Sequence, residues 1–261
     1  MIKKKVIGRV FRQDEIADQI YDMWIETELA QGARPGQFVC VYTKNAAALL
    51  PRPISICEVN EEKTMLRLVY RTVGTGTNEF AAYHAGTEIS LLGPLGNGFP
   101  VEKAAGKRVF LIGGGIGIPP MLQLSKEIKK AGQAYCELSV LGYRNELFLN
   151  TDLEKYSQVY VATEDGSAGT KGTVLDAIKE KGLSGDVIFA CGPMPMLRAV
   201  KEYAAANNME AYISLEEHMA CGVGACLGCV CKTKNVDAHS HVHNSRICTD
   251  GPVYNAEEVE I

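Results

Sequence analysis

Apolar residues recur along the chain in two rhythms. Up to about residue 100 they form short runs at 6–11, 20–27, 37–42, 54–59, 65–72 and 88–92. Glycine and proline punctuate them, as at Pro35-Gly36, Pro51, Gly74, Gly76 and Gly93-Pro94. Short apolar runs between turn residues predict strands. One short helix fits at 78–84, with Thr77 as its N-cap. Such a set predicts a closed antiparallel barrel, which leaves no strand edge exposed.

Near 103–107 the rhythm changes. Apolar runs at 109–112, 137–141, 159–162, 187–190 and 211–215 alternate with helical patterns at 119–130, 151–156 (weak), 174–181 and 194–207. Continuous apolar strands separated by helices predict a parallel sheet covered on both faces. The expected organisation is a β-barrel domain over 1–100, an α/β parallel-sheet nucleotide-binding domain over 101–215, and a C-terminal segment over 216–261. The last segment has little periodicity, so it needs a source of order other than a core, and a metal centre supplies one.

Composition narrows the function. With 46% hydrophobic and 22% charged residues the chain can bury an ordinary globular core. A formal net charge of −4 argues against a general nucleic-acid binder. No apolar stretch reaches the roughly 18 residues that span a bilayer. The start, Met-Ile-Lys-Lys-Lys, gives way to Arg9, Arg12, Asp14 and Glu15 and does not read as a signal peptide, so a cytoplasmic protein is expected.

Cysteine supplies the sharpest signal. Of nine, Cys40, Cys57, Cys136 and Cys191 sit singly in apolar stretches and read as buried thiols, while Cys221, Cys226, Cys229, Cys231 and Cys248 crowd into the tail. An odd total in such a chain favours metal ligation over disulfides. Cys221-Gly-Val-Gly-Ala-Cys226-Leu-Gly-Cys229 with a later cysteine has the C-x4-C-x2-C spacing of plant-type 2Fe–2S proteins. Gly222, Gly224 and Gly228 let the backbone wrap the cluster and turn N–H groups towards sulfur. A structural zinc site is the alternative, although zinc more usually shows paired C-x2-C elements. Cys231 competes for the fourth place, because two residues past Cys229 in a strand it shares that face.

Three further constellations suit nucleotides. Arg52-Pro53-Ile54-Ser55 offers an arginine for a pyrophosphate and a strand hydroxyl for a flavin ring. Val69-Tyr70-Arg71 precedes Gly74-Thr75-Gly76-Thr77, where a glycine loop opens a helix start and Tyr70 can stack on an aromatic ring. Gly113-Gly114-Gly115-Ile116-Gly117 follows an apolar strand but is not a G-x-G-x-x-G fingerprint. Glu164-Asp165 and Cys191-Gly192-Pro193 follow other strands, at the sheet edge where ligands bind. Glu164 and Asp165 favour NAD over NADP, while Arg144 favours the 2′-phosphate. The histidines at 239, 241 and 243 read as a solvated loop, and no acid–base carboxylate pair or nucleophile elbow is evident.

Together these residues resemble the ferredoxin–NADP reductase superfamily, and within it the electron-transfer subunits of NAD-dependent, class 1B dihydroorotate dehydrogenases. The resemblance runs from Arg52–Ser55 through Gly74–Thr77, Gly93–Gly98, Gly113–Gly117 and Cys191–Pro193 to the cysteine tail. It implies FAD at Arg52, Pro53, Ile54, Ser55, Val69, Tyr70, Arg71, Gly76 and Thr77. It implies NAD as exchangeable substrate in the second domain, where Gly113, Gly114, Gly115, Asp165, Cys191 and Gly192 are the candidates, and a 2Fe–2S cluster on Cys221, Cys226, Cys229 and Cys248. The implied role is electron transfer in pyrimidine biosynthesis, from an FMN-containing dihydroorotate dehydrogenase subunit through 2Fe–2S and FAD to NAD, in a heterotetramer, with neither nucleic acid nor membrane as partner. Oxygenase reductases and flavin subunits of hydrogenases or ferredoxin-linked NADP reductases are the competing members. Cys231 and the histidine run depart from the pattern.

Overall fold

The computed structural model describes residues 3–237 and 241–261. His239 lies outside them.

The first rhythm forms the barrel. Strands β1 (Lys4–Ala17), β2 (Ile20–Glu26), β3 (Phe38–Tyr42), β4 (Arg52–Val59), β5 (Met65–Arg71) and β6 (Glu88–Leu95) close in the order β1-β2-β5-β4-β3-β6. Alternate residues point inward, so Val10, Ile25, Val39, Ile56, Leu66, Leu68 and Leu91 fill the interior. Strand β1 runs well beyond 6–11, because polar residues line its outer side and bulges at Val10/Arg12 and Glu15/Ala17 break its alternation. The helix α1 (Thr75–Ala81) begins before 78. Gly74 is its N-cap, and Thr77 lies inside it. Thr77 Oγ1 accepts from the N–H groups of Val73 (2.9 Å) and Gly74 (3.3 Å), bonding back to the turn that an N-cap would have preceded.

The second rhythm forms β7 (Arg108–Gly114), α2 (Pro119–Ala131), β8 (Cys136–Tyr143), α3 (Asn150–Leu153), β9 (Gln158–Thr163), β10 (Thr170–Lys171), α4 (Val174–Glu180), β11 (Val187–Cys191), α5 (Met194–Ala206) and β12 (Glu210–Ser214). These strands pair in parallel, with β7 and β11 buried on both faces. The weak pattern at 151–156 yields only the short α3.

The tail contributes β13 (Val230–Lys232), β14 (Asn244–Arg246) and β15 (Val253–Asn255). β13 and β14 pair as an antiparallel hairpin, and β15 adds an antiparallel edge to β12, giving the order β10-β9-β8-β7-β11-β12-β15. Ile247, Cys248, Tyr254, Ala256 and Val259 are buried in the apolar cluster that also holds Ile188 and Ile213. The expectation of a coreless tail is thereby corrected: it borrows the core of the sheet.

Polar contacts lock barrel and sheet together. Arg67 of β5 meets Asp22 (2.8 Å) and Glu58 (3.1 Å) of the barrel and Asp152 of α3 (3.1 Å). Lys126 of α2 meets Glu58 at 3.1 Å, and the Val59 N–H donates to Gln123 Oε1 at 2.8 Å. Arg67 and Asp22 are almost fully buried, so breaking this pair from one side leaves an uncompensated charge.

Candidate functional site

Two cavities open side by side between barrel and sheet. The larger, about 710 Å³, is walled by Arg52–Ser55 of β4 and Val69–Arg71 of β5. Gly74–Thr77, at the start of α1, complete that side. All nine residues expected at a flavin thus lie on one wall. Gly76 has a steric reason: a Cβ there would stand 2.3 Å from Arg52 Nε, so only glycine lets the guanidinium lie across the helix start. Arg52 also donates to the Leu50 carbonyl. The Tyr70 ring is already stacked on Tyr21 at 5.9 Å and its hydroxyl donates to Gln13 Oε1 at 2.8 Å, which takes one face of the ring.

The opposite wall is Phe38, Ile116 and the segment Ser214–Met219. Sequence reasoning missed that segment. Its one signal was position, directly after the last strand of the sheet. Glu216 keeps an exposed surface there, and partial desolvation by the surrounding wall raises its pKa. Burial, with the Glu216 charge adding, also pushes the Cys191 thiol far up.

The smaller cavity, about 420 Å³, lies over the carboxyl ends of the parallel strands. Gly114, Gly115, Arg144, Glu164, Pro193 and Met196 line it. Gly117 packs on the Cys191-Gly192 backbone, where a Cβ would stand 2.3 Å from the Cys191 carbonyl oxygen. Gly113, Cys191 and Gly192 do not line the cavity, although their chain neighbours Gly114 and Pro193 do. Asp165 does not line it either; its Oδ1 accepts from the Ser167 N–H at 2.9 Å in a turn, and its neighbour Glu164 faces the cavity. The β1–β2 hairpin tip, Asp18-Gln19, reaches in from the barrel, and the Asp18 N–H donates to Glu146 Oε2 at 2.9 Å. Arg71 lines both cavities.

The first cysteine of the loop, Cys221, follows two residues after Met219 of the larger cavity's wall. The loop 221–229 packs on the barrel: a Cβ on Gly222 (φ +67°) would meet Cys40 Sγ at 3.1 Å and Leu95 Cδ1 at 3.2 Å. The β13–β14 register, Val230 opposite Arg246, brings Cys229 beside Ile247 and Cys248. The Gly251-Pro252 turn then docks on the barrel loop at Asn97, whose Nδ2 donates to the Asp250 carbonyl at 2.9 Å.

Cys221 interacts with Cys226 and Cys229 with Cys248, and Cys248 also feels Cys221. Among the described residues no three His, Cys, Asp or Glu side chains converge on a single ion. One zinc ion needs four donors around one centre, whereas a 2Fe–2S cluster takes two thiolates on each iron. The pairing fits the second. N–H groups of Val223 (3.4 Å) and Ala225 (3.3 Å) donate to Cys221 Sγ, and that of Gly228 to Cys226 Sγ (3.4 Å). Burial opposes ionisation of Cys221, but these donors and Cys226 outweigh it and bring the thiol down to about 6, a thiolate at neutral pH. Burial and the Cys229 neighbour hold the Cys248 thiol up at about 12. Cys231 instead faces the Tyr254 hydroxyl, and burial raises its pKa.

Residues 216–260 match the iron-sulfur cluster binding domain of dihydroorotate dehydrogenase B, and residues 111–202 match the oxidoreductase NAD-binding domain. The dihydroorotate dehydrogenase B (NAD(+)) electron transfer subunit of Bacillus velezensis is 43% identical, with 99% of this chain and 100% of that protein covered. That of a Geobacillus species is 42% identical, with 96% of each covered. The chain belongs to the family of dihydroorotate dehydrogenase B electron transfer subunits. Among solved structures, the NADH-dependent reduced ferredoxin-NADP oxidoreductase, studied for flavin-based electron bifurcation, matches with a TM-score of 0.87 at 29% identity, over 98% of this chain and 90% of that one. A Neisseria gonorrhoeae ferredoxin NADP+ reductase shares the fold, with a TM-score of 0.66 at 16% identity over 80% of this chain and 92% of that one. No helix among the described residues is long and apolar enough to cross a membrane.

Proposed function

We propose that this chain passes electrons between an FMN-containing dihydroorotate dehydrogenase subunit and NAD, with a 2Fe–2S cluster and FAD held here, in a heterotetramer of two copies of each subunit. Bound FAD would supply the exchange between a hydride and single electrons, and the cluster the single-electron step. The segments 1–100, 101–215 and 216–261 would serve FAD, NAD and cluster in turn.

The observation that carries this reading is the continuity of Ser214–Met219 with Cys221. One stretch of chain ends the sheet, walls the larger cavity and enters the cluster loop, so the three sites stand in series. Arg52 would pair with the FAD pyrophosphate, with Gly76 clearing its path. Ser55 and the Ile54 and Val69 backbone would orient the ring system along β4 and β5. The nicotinamide nucleotide would enter over Gly114-Gly115, with Glu164 placed for a ribose diol and Arg71 facing both nucleotides. Cys226 is exposed, which leaves one end of the paired thiols open to a partner.

Co-purification of the native complex followed by an assay of orotate formation with NAD tests this. The reading fails if no FMN-containing subunit accompanies the chain, or if the isolated chain oxidises dihydroorotate unaided.

A further inference from the structure

Thr249 follows Cys248 directly and packs against the cluster loop. A Cβ on Gly224 would stand 2.7 Å from Thr249 Cγ2 and 3.3 Å from Thr249 Oγ1. Gly224 lies between Cys221 and Cys226, and its N–H is turned to Cys248. The Thr249 hydroxyl is therefore wedged between the loop that carries one thiol pair and the ligand that completes the other.

That hydroxyl is buried and has no hydrogen-bond partner among the described residues. Its backbone N–H is satisfied by the Arg246 carbonyl at 3.1 Å. The adjacent Asp250 carboxylate is close enough to feel the hydroxyl and is itself held by Arg246, Oδ2 accepting from N (3.0 Å) and Nε (2.9 Å) and Oδ1 from Nη2 (3.3 Å). No hydrogen bond closes between Asp250 and the hydroxyl. A buried hydroxyl without an acceptor is costly, so such a group in a native structure implies a missing partner. What is missing at this position, on the reading above, is a cluster whose sulfurs are anionic acceptors.

We propose that the Thr249 hydroxyl donates a hydrogen bond to a sulfur of the cluster, either a ligand thiolate or an inorganic sulfide, and raises its reduction potential. Thr249 is a positioning residue rather than a ligand. The sulfurs carry more negative charge in the reduced state, so a donor stabilises that state more than the oxidised one. The inference rests on the cluster reading and adds to it a hydroxyl donor beside the N–H groups of Val223, Ala225 and Gly228.

The test uses the full chain in its native complex, with Thr249→Val, which keeps the shape and deletes the donor, and Thr249→Ser, which keeps the donor. Iron and sulfide are counted, and the cluster is titrated electrochemically with its electron paramagnetic resonance signal as readout. Thr249→Val is expected to retain two irons per chain with its midpoint shifted to more negative potential, and Thr249→Ser to match the wild type. Pulsed resonance of the reduced wild type should in addition show a proton coupling that is lost both in deuterium oxide and in Thr249→Val. An intact cluster at unchanged potential in Thr249→Val overturns the inference, and so does the absence of that coupling in the wild type, whatever the variants do. Wild-type protein purified anaerobically without iron would overturn the cluster reading itself.

Discussion

Gly76 lies directly beneath Arg52, with the glycine Cα so near the guanidinium that a methyl group would stand 2.3 Å from Nε. The two residues act as one unit, and the first prediction concerns them both. Arg52→Ala removes a charge-assisted partner and should weaken FAD binding roughly ten- to hundredfold. Gly76→Ala should weaken it too, by displacing the guanidinium. Fluorescence titration of the apoprotein with FAD measures both, and unchanged affinity in Arg52→Ala would remove Arg52 from the flavin site.

The second prediction concerns ligands. Cys248 is paired with Cys229, whereas Cys231 faces Tyr254. Cys248→Ser should therefore lose or severely destabilise the cluster, and Cys231→Ser should keep two irons per chain. Iron and sulfide analysis of the two variants decides it, and the reverse pattern would exchange their roles.

The sequence left these two cysteines in competition, because alternation in a strand puts 229 and 231 on one face. The hairpin register resolves what the period cannot: Val230 opposite Arg246 fixes which distant residue arrives beside Cys229. The same limit explains other gaps. The barrel and the parallel sheet were legible because their apolar periods differ, and Arg52–Ser55 and Gly74–Thr77 because local chemistry marks them. Strand β15 is short, and only its pairing with β12 makes it a strand. Asp18-Gln19 and Ser214–Met219 reach the cavities through tertiary placement, with no local motif to announce them.

The third prediction is nucleotide choice. Glu164 and Arg144 line the same cavity and oppose one another towards a 2′-phosphate. The wild type should prefer NAD. Glu164→Gln should lower the ratio of kcat/KM for NAD over NADP about tenfold, the worth of roughly 1.4 kcal/mol. Steady-state kinetics with both nucleotides checks this, and a wild type with the higher kcat/KM for NADP would contradict it.

The fourth concerns pH. Burial between α2 and β8 raises the Glu137 carboxyl to about 7, against the smaller pull of the Ser125 hydroxyl, which donates to Glu137 Oε2 at 3.1 Å. The folded state thus binds a proton more tightly than the unfolded chain. Stability is highest below the unfolded carboxylate pKa and falls as pH rises through about 7. Glu137→Gln should be more stable than the wild type at pH 8, by about 1–2 kcal/mol after allowance for partial solvent screening, and lose that advantage by about pH 5. Denaturant melts at the two pH values measure it; an advantage that grows towards acid would reverse the sign.

The most direct measurement is an anaerobic titration of the native complex with dihydroorotate, followed by absorption and electron paramagnetic resonance. Dihydroorotate should bleach the flavin and bring up the reduced 2Fe–2S signal of this chain, and added NAD should restore both with formation of NADH. A cluster that stays oxidised while NADH is formed, or a chain that contains no iron, would contradict electron transfer through this subunit.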